Sequence, residues 1–223
     1  EEKKISKFIK RDGEEIFNIK TRSGKKVKAT GCHPVMVFDN GILRSILIKD
    51  LKEREVIATP RRIYTHPENK FDDEKARILG YLIGDGTIRK DYVRFVNEDK
   101  EILDDILSTV KNNFNVSSKK NKYRKNSEAI DLIWWDKNFI GWLQELFNNK
   151  KLDSGNKHVP DKILSANLSA VSNFLAGLFD TDGSVSKGVE YCSKSEMLTS
   201  QVQRLLLRFG IISNVKRRLS YAS

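Results

Sequence analysis

Apolar and polar residues alternate along roughly the first sixty positions of the chain. Glu15-Ile16-Phe17-Asn18-Ile19 and Lys26-Val27-Lys28-Ala29-Thr30 keep a period of two, with a turn at Arg22-Ser23-Gly24 between them. Pro34-Val35-Met36-Val37-Phe38 predicts a third strand, and Asp39-Asn40-Gly41 a hairpin turn. Residues 42–48 and 56–58 predict further short strands. Strands this short and close predict a small all-β module over residues 1–64. A polar linker follows at residues 65–70.

From Phe71 the period lengthens to that of a helix. Asp72, Asp73 and Glu74 are the acids expected at a helix start, and the helix is predicted to run to about Asp85, with Gly86 as a left-handed cap. Strands are predicted at 87–89 and 92–96. A helix over 98–114 puts Ile102, Leu103, Ile106, Leu107 and Val110 on one face. Strands at 115–119 and 129–135 come next, then a helix over 137–147 carrying Phe139, Ile140, Leu143 and Leu146. The order is αββαββα. After Asn156 it restarts, with a helix over 168–182 ending at Gly183 and strands at 184–186 and 189–192. A helix over 196–209 follows, with Leu198, Val202, Leu205 and Leu206 inward and Gly210 ending it, then a strand over 211–219.

This restart is an internal repeat. At an offset of 97, Asp85 matches Asp182, Gly86 matches Gly183, Thr87 matches Ser184 and Ile88 matches Val185. With one residue dropped, Phe95 matches Tyr191 and Asn97 matches Ser193. The fold class is therefore expected to be α+β: the small all-β module, then two pseudo-symmetric αββαββα repeats. The first repeat spans 71–155. The second, 156–223, lacks its last strand and helix and is expected to be truncated.

Composition narrows the setting. The chain has 223 residues, 39% of them hydrophobic, enough for one large or two modest domains. No apolar run reaches membrane-spanning length, and Cys32 and Cys192 make no disulfide framework. A soluble, cytoplasmic protein is expected. The net charge of +11 points to a polyanion such as nucleic acid, although a Lys/Glu-rich solvated surface gives the same total. Residues 1–70 carry 17 basic and 10 acidic side chains; the rest carry 24 and 20. Any binding face in the repeats must therefore come from local clustering.

The repeat-opening helices carry the chemistry. Gly80 and Gly84 are four apart, as are Gly177 and Thr181, so each pair lies on one helix face. Small residues at this spacing let two helix backbones approach closely. Packed together, the helices would bring Asp85 and Asp182 out side by side at one end. Two carboxylates at the negative end of helix dipoles repel each other. Divalent cations resolve that conflict, and carboxylate and carbonyl oxygens suit Mg²⁺ used with substrate phosphates. The plain alternative is that both acids are solvated helix ends.

Leu175-Ala176-Gly177-Leu178-Phe179-Asp180-Thr181-Asp182-Gly183 resembles the motif of the LAGLIDADG homing endonucleases in seven of nine letters. Residues 78–86 match more loosely, through Gly80, Leu82, Ile83, Asp85 and Gly86. The resemblance covers about residues 71–223 and implies site-specific double-strand DNA cleavage by a single chain, a monomer, using two or more Mg²⁺ ions. It implies that Asp85 and Asp182 bind the metals, helped by the carbonyls of Gly84 and Thr181. In intein-borne members a lysine stands in a Lys-x-x-Pro segment before the second motif. Asn156-Lys157-His158-Val159-Pro160 is similar, which makes Lys157 the candidate; an ordinary linker lysine is the alternative. The family's strands form a saddle in the DNA major groove. On that resemblance Arg89, Lys90, Lys119, Lys120, Lys122, Arg124, Lys125, Lys187, Lys216, Arg217 and Arg218 are the expected DNA contacts, mostly to phosphate.

Thr30-Gly31-Cys32-His33 resembles the Thr-x-x-His motif of the Hint domain of inteins. The resemblance implies that His33 assists the first acyl shift of protein splicing and that Thr30 helps polarise the scissile amide. One departure is Arg54-Glu55, where that family usually has Gly-Asp. No Cys or Ser opens the residues shown and no His-Asn pair closes them. Either the splice junctions and host flanks (exteins) lie outside residues 1–223 or the module is a remnant. The expected function is a homing endonuclease carried in a self-splicing intein. The alternatives are a non-cleaving nucleic-acid binder (a maturase or regulator) and a splicing-only intein with a decayed endonuclease.

Overall fold

In the computed structural model residues 13–65, 70–124, 127–150 and 152–218 are described. Contacts divide the chain into two units, Glu1–Arg61 with Asn214–Ser223, and Arg62–Ser213.

In the first unit β1 (Ile16–Lys20) pairs antiparallel with β2 (Lys26–Thr30). A second sheet has β3 (Pro34–Asp39) between β4 (Ile42–Leu47) and β5 (Val56–Ile57). The β3–β4 hairpin turns on Asn40 and Gly41, both at positive φ, as a two-residue turn of this twist requires. Strand β4 stops one residue short of the predicted end, because Ile48–Asp50 winds into a 3-10 turn whose Ile48 is buried. Arg54 sits at φ +70, a left-handed conformation that glycine adopts freely and that costs another residue about 1 kcal/mol. Glu55 meanwhile accepts a 2.8 Å bond from the Lys52 amide. The turn thus closes on the Glu55 carboxylate.

The second unit opens with α1 (Asp73–Gly84), β6 (Gly86–Ile88), β7 (Val93–Asn97), α2 (Lys100–Phe114), β8 (Lys119–Lys122), β9 (Ile130–Trp134) and α3 (Lys137–Leu146). A short helix, α4 (Asp161–Leu164), which the pattern did not predict, leads to α5 (Leu168–Asp182), β10 (Gly183–Val185), β11 (Val189–Tyr191) and α6 (Glu196–Arg208). Side chains of Asp72, Asp99, Asp136 and Ser195 cap α1, α2, α3 and α6, each accepting from amides in the first turn. The first repeat forms a four-stranded antiparallel sheet in the order β6-β7-β9-β8. Its inner face buries Val93, Phe95, Leu132 and Trp134 in one core with the helices. The second repeat contributes the two-stranded β10-β11.

Four expectations change. Strand β8 begins at Lys119 rather than 115, because Asn115, at φ +55, still caps α2. Gly86 is extended, not left-handed; it is glycine because a Cβ there would lie 2.3 Å from the Leu82 carbonyl. Leu207 and Arg208 take the buried positions on α6, with Leu206 partly exposed. No strand forms over the described residues 211–218. From Asn214 the chain groups instead with the N-terminal strands, where the Val215 amide donates to Ser23 O at 3.0 Å. Lys216, Arg217 and Arg218 therefore do not lie on a strand of the second repeat. Among the described residues no helix is long and apolar enough to cross a membrane.

Candidate active site at the helix seam

Helices α1 and α5 touch backbone to backbone. A Cβ on Gly80 would sit 2.3 Å from Phe174 O, and one on Gly177 would sit 2.5 Å from Arg77 O. Both are below any van der Waals contact, so only glycine fits the crossing. At the C-terminal end a Cβ on Gly84 would overlap the Thr181 hydroxyl at 1.9 Å. That hydroxyl bonds back to Gly177 O and Leu178 O, which holds it on its own helix. Gly183 repeats the Gly86 constraint, with Phe179 O 2.3 Å from its would-be Cβ. Both helices therefore turn at once into a strand, and their final aspartates emerge together.

Asp85 caps α1, and its carboxylate accepts a 2.8 Å bond from the Asn97 side-chain amide. Asp182 is the last residue of α5, and among the described residues its carboxylate accepts no hydrogen bond. Lys157 reaches in from the segment before α4, and its Nζ donates to Gly84 O at 2.5 Å. The three charges feel one another. Burial pushes the Asp85 carboxyl up, against the pull of Asn97 and Lys157. Burial and the negative charge of Asp85 push Asp182 up, with Lys157 opposing. Burial pulls the Lys157 ammonium down, opposed by Asp182 and Asp85. The sequence-derived trio is thus one electrostatic unit.

Its oxygens fit a hard divalent cation. Asp85, Asp182 and the Gly84 carbonyl converge: the Asp182 carboxyl carbon lies 3.6 Å from the would-be Cβ of Gly84, and the Gly84 carbonyl accepts from Lys157 Nζ. Among the described residues no cluster of three or more His, Cys, Asp or Glu side chains forms, so carbonyls, water or phosphate must complete any coordination. Thr181 packs on Gly84 through its hydroxyl, one residue before Asp182.

Several site residues were not singled out from sequence. Ser195 Oγ donates to Lys157 O at 2.6 Å, and the Gln201 side chain accepts from the Val159 amide at 2.8 Å. Together they fix the backbone that carries Lys157. Asn97 was visible only as the repeat partner of Ser193, with no role attached. Asp180, which the repeat pairs with Ile83, turns outward from the trio: Arg77 reaches across the seam to it at 3.2 Å while holding Asp105 at 2.6 Å. Asp180→Asn is expected to lower stability by under about 1 kcal/mol, since the pair is partly exposed, and to leave DNA cleavage intact. Thermal melts and a cleavage assay on the same preparation check both parts.

The basic residues separate by sheet register. Lys119, Arg94 and Thr87 share one row on the face away from the helices, with Ile133 between Lys119 and Arg94. Lys120 and Lys122 fall on the opposite face, beside α2, where they help line a cleft of about 400 Å³ with Lys100, Leu103 and Asp104. Arg89 donates to the carbonyls of Ile88 and Leu152, and Lys90 and Lys187 are exposed in the loops after β6 and β10. The Arg124 guanidinium stands 5.0 Å from the Tyr123 ring. Lys125 lies outside the described residues. In the first unit the Thr30 hydroxyl and His33 Nδ1 are 2.9 Å apart, and Cys32 Sγ donates to Glu14.

The profile of the LAGLIDADG-like domain matches residues 72–150 and 169–223. The chain belongs to this family. Curated relatives include the replication factor C small subunit of Methanocaldococcus jannaschii, 28% identical over 92% of this chain and 11% of that protein. The glutamine–fructose-6-phosphate aminotransferase of the same organism is 29% identical over 82% of this chain and 18% of that protein. The LAGLIDADG-like chain thus spans less than a fifth of either relative's length. A solved structure of I-DmoI in complex with DNA and Mn is similar at a TM-score of 0.47 and 18% identity, over 63% of this chain and 79% of that one.

Proposed function

We propose that this chain is the endonuclease-bearing part of a self-splicing inserted element, and that it cuts both strands of a long DNA site with a stagger. The observation that carries the reading is the convergence of Asp85, Asp182 and Lys157 where α1 and α5 end. Divalent ions such as Mg²⁺, when bound there, supply Lewis-acid stabilisation of charge on the phosphate. Asp85 and Asp182 would hold them, and the carbonyls of Gly84 and Thr181 are the further oxygens that the resemblance offers. Asn97 orients the Asp85 carboxylate. Lys157, held by Ser195 and Gln201, presents its ammonium to negative charge as it grows in the transition state. One chain carries both acids, so a monomer suffices. A reducing cytoplasm suits a DNA-cutting protein whose two cysteines are unbridged.

Two observations support the inserted-element part. The same stretch of sequence matches inside a replication factor subunit and inside an aminotransferase, and a segment common to both is not what gives either its own activity. The Thr30–His33 pair is also within hydrogen-bond reach, as an acyl-shift assistant and its partner require.

Cleavage is tested on supercoiled plasmid carrying the host gene rejoined across the insertion point. Linear product is expected with Mg²⁺ and none with chelator. Tight binding with no cut in any divalent ion would favour the non-cleaving binder.

A further inference from the structure

We propose that Arg94, in the middle of the exposed face of the first-repeat sheet, reads a guanine in the DNA target rather than gripping a phosphate. This rests on the DNA-cleaving reading above. Arg94 Nε and Nη2 donate to the two carboxylate oxygens of Asp131, each at 2.8 Å. Its guanidinium also lies 5.4 Å from the centre of the Tyr123 ring. Asp131 is 7% exposed and stands two residues along β9 from Ile133, the register partner of Arg94, and so on the same face. The pair spans neighbouring rows of the face that no helix covers.

Geometry leaves Arg94 a usable end. The side-on fork, Nε with Nη2, is spent on Asp131. Both N–H groups of Nη1 and the second of Nη2 remain, and among the described residues Nη1 has no partner. About a third of the Arg94 side chain is exposed. The end-on fork that remains matches guanine O6 and N7 in the major groove. The carboxylate clamp and the ring restrict the side chain before DNA arrives, which reduces the ordering cost of binding.

Charge decides between base and phosphate. Arg94 and Asp131 together are neutral, so docking the pair on a phosphate releases no net counterion and places a carboxylate near another anion. A neutral base edge has no such objection, and it needs directional donors, which Arg94 keeps. Lys119, in the same row and with no acidic partner among the described residues, has the opposite character. It suits a phosphate. The sequence did not single out Arg94, because a lone Arg on a strand looks like any solvated cation.

Selection of bound duplexes from a randomised DNA library, with Ca²⁺ in place of Mg²⁺, tests this. The wild-type chain and Arg94→Lys are compared, since Lys keeps a cation beside buried Asp131 but has no fork. If Arg94→Lys is poorly folded, the double variant Arg94→Met/Asp131→Leu removes the pair as a unit. Expected is one G·C position whose preference collapses roughly ten- to hundredfold, other positions holding. The salt dependence of binding should not change for Arg94→Lys and should become shallower by about one ion for Lys119→Ala. An unchanged selected motif, or an equal loss at every position, overturns the assignment. A wild-type chain that enriches no duplex overturns the DNA reading and this inference with it.

Discussion

Asp182→Asn is expected to lower DNA cleavage by roughly a thousandfold or more and, in chelator, to raise the melting temperature. The loss follows from removing one of two carboxylates at the seam. The gain follows from linkage. Burial and the charge of Asp85 hold the Asp182 carboxyl above its ordinary value of 3.8, more than Lys157 pulls it down. A group whose folded pKa is raised lends its full stability only below the unfolded value. It loses that contribution as pH rises through the folded one. Wild type and Asp182→Asn should therefore melt alike in strong acid, and the variant should pull ahead as pH climbs past the carboxylate range. Saturating Mg²⁺ should reverse the order at neutral pH, because only the wild-type pair gains a cation. Asp85→Asn should lose cleavage equally but gain less stability, since the Asn97 bond already offsets part of its burial. Melts across pH with and without Mg²⁺, beside single-turnover cleavage, check all of this. A stable Asp182→Asn that still cuts at the wild-type rate would defeat the site assignment.

Gly177→Ala should destabilise the second unit by about 3 kcal/mol, roughly 6–12 °C in Tm. Its new methyl would stand 2.5 Å from Arg77 O and 3.1 Å from Tyr81 N. These are backbone atoms of a packed helix and cannot swing aside. Gly80→Ala meets Phe174 O at 2.3 Å, at the same crossing, and should cost a similar amount. The double variant should cost less than the sum, because helices already parted by one methyl admit the second more easily. Gly141→Ala is the control. Gly141 is also inside a helix, α3, but a Cβ there meets nothing within 4 Å, so alanine should stabilise by up to about 1 kcal/mol. Equal behaviour of Gly141→Ala and Gly177→Ala would show that helix propensity, not the seam, governs these positions.

The sequence made the seam legible because its rules are local. A helix with glycines four apart must offer a smooth face, and a matching pair 97 residues on must offer another. The end of α5 at Asp182 followed from the same pattern, although the next strand begins at Gly183, one residue before the predicted start. The Asn40-Gly41 hairpin likewise needed only two adjacent residues. Failures came where a distant partner decides. The strand predicted over 211–219 needs a neighbour to accept its hydrogen bonds, and Val215 bonds to Ser23 instead. The run from Lys119 to Lys122 read as one basic cluster. Period-two geometry splits it between two faces once the register with Ile133 and Leu132 is set.

By itself, then, the sequence determined which helices pair and which acids end them. Each is a matter of periodicity and spacing within a short window, whereas Lys157 was singled out only by its resemblance to a family segment. Tertiary structure alone decided that Lys157 lands on the Gly84 carbonyl, that Ser195 and Gln201 hold it there, that Asp180 turns to Arg77, and that Arg94 meets Asp131. Those contacts join residues 37 to 103 positions apart. No local pattern encodes such a meeting; the packing of α1 on α5 and the strand register bring it about.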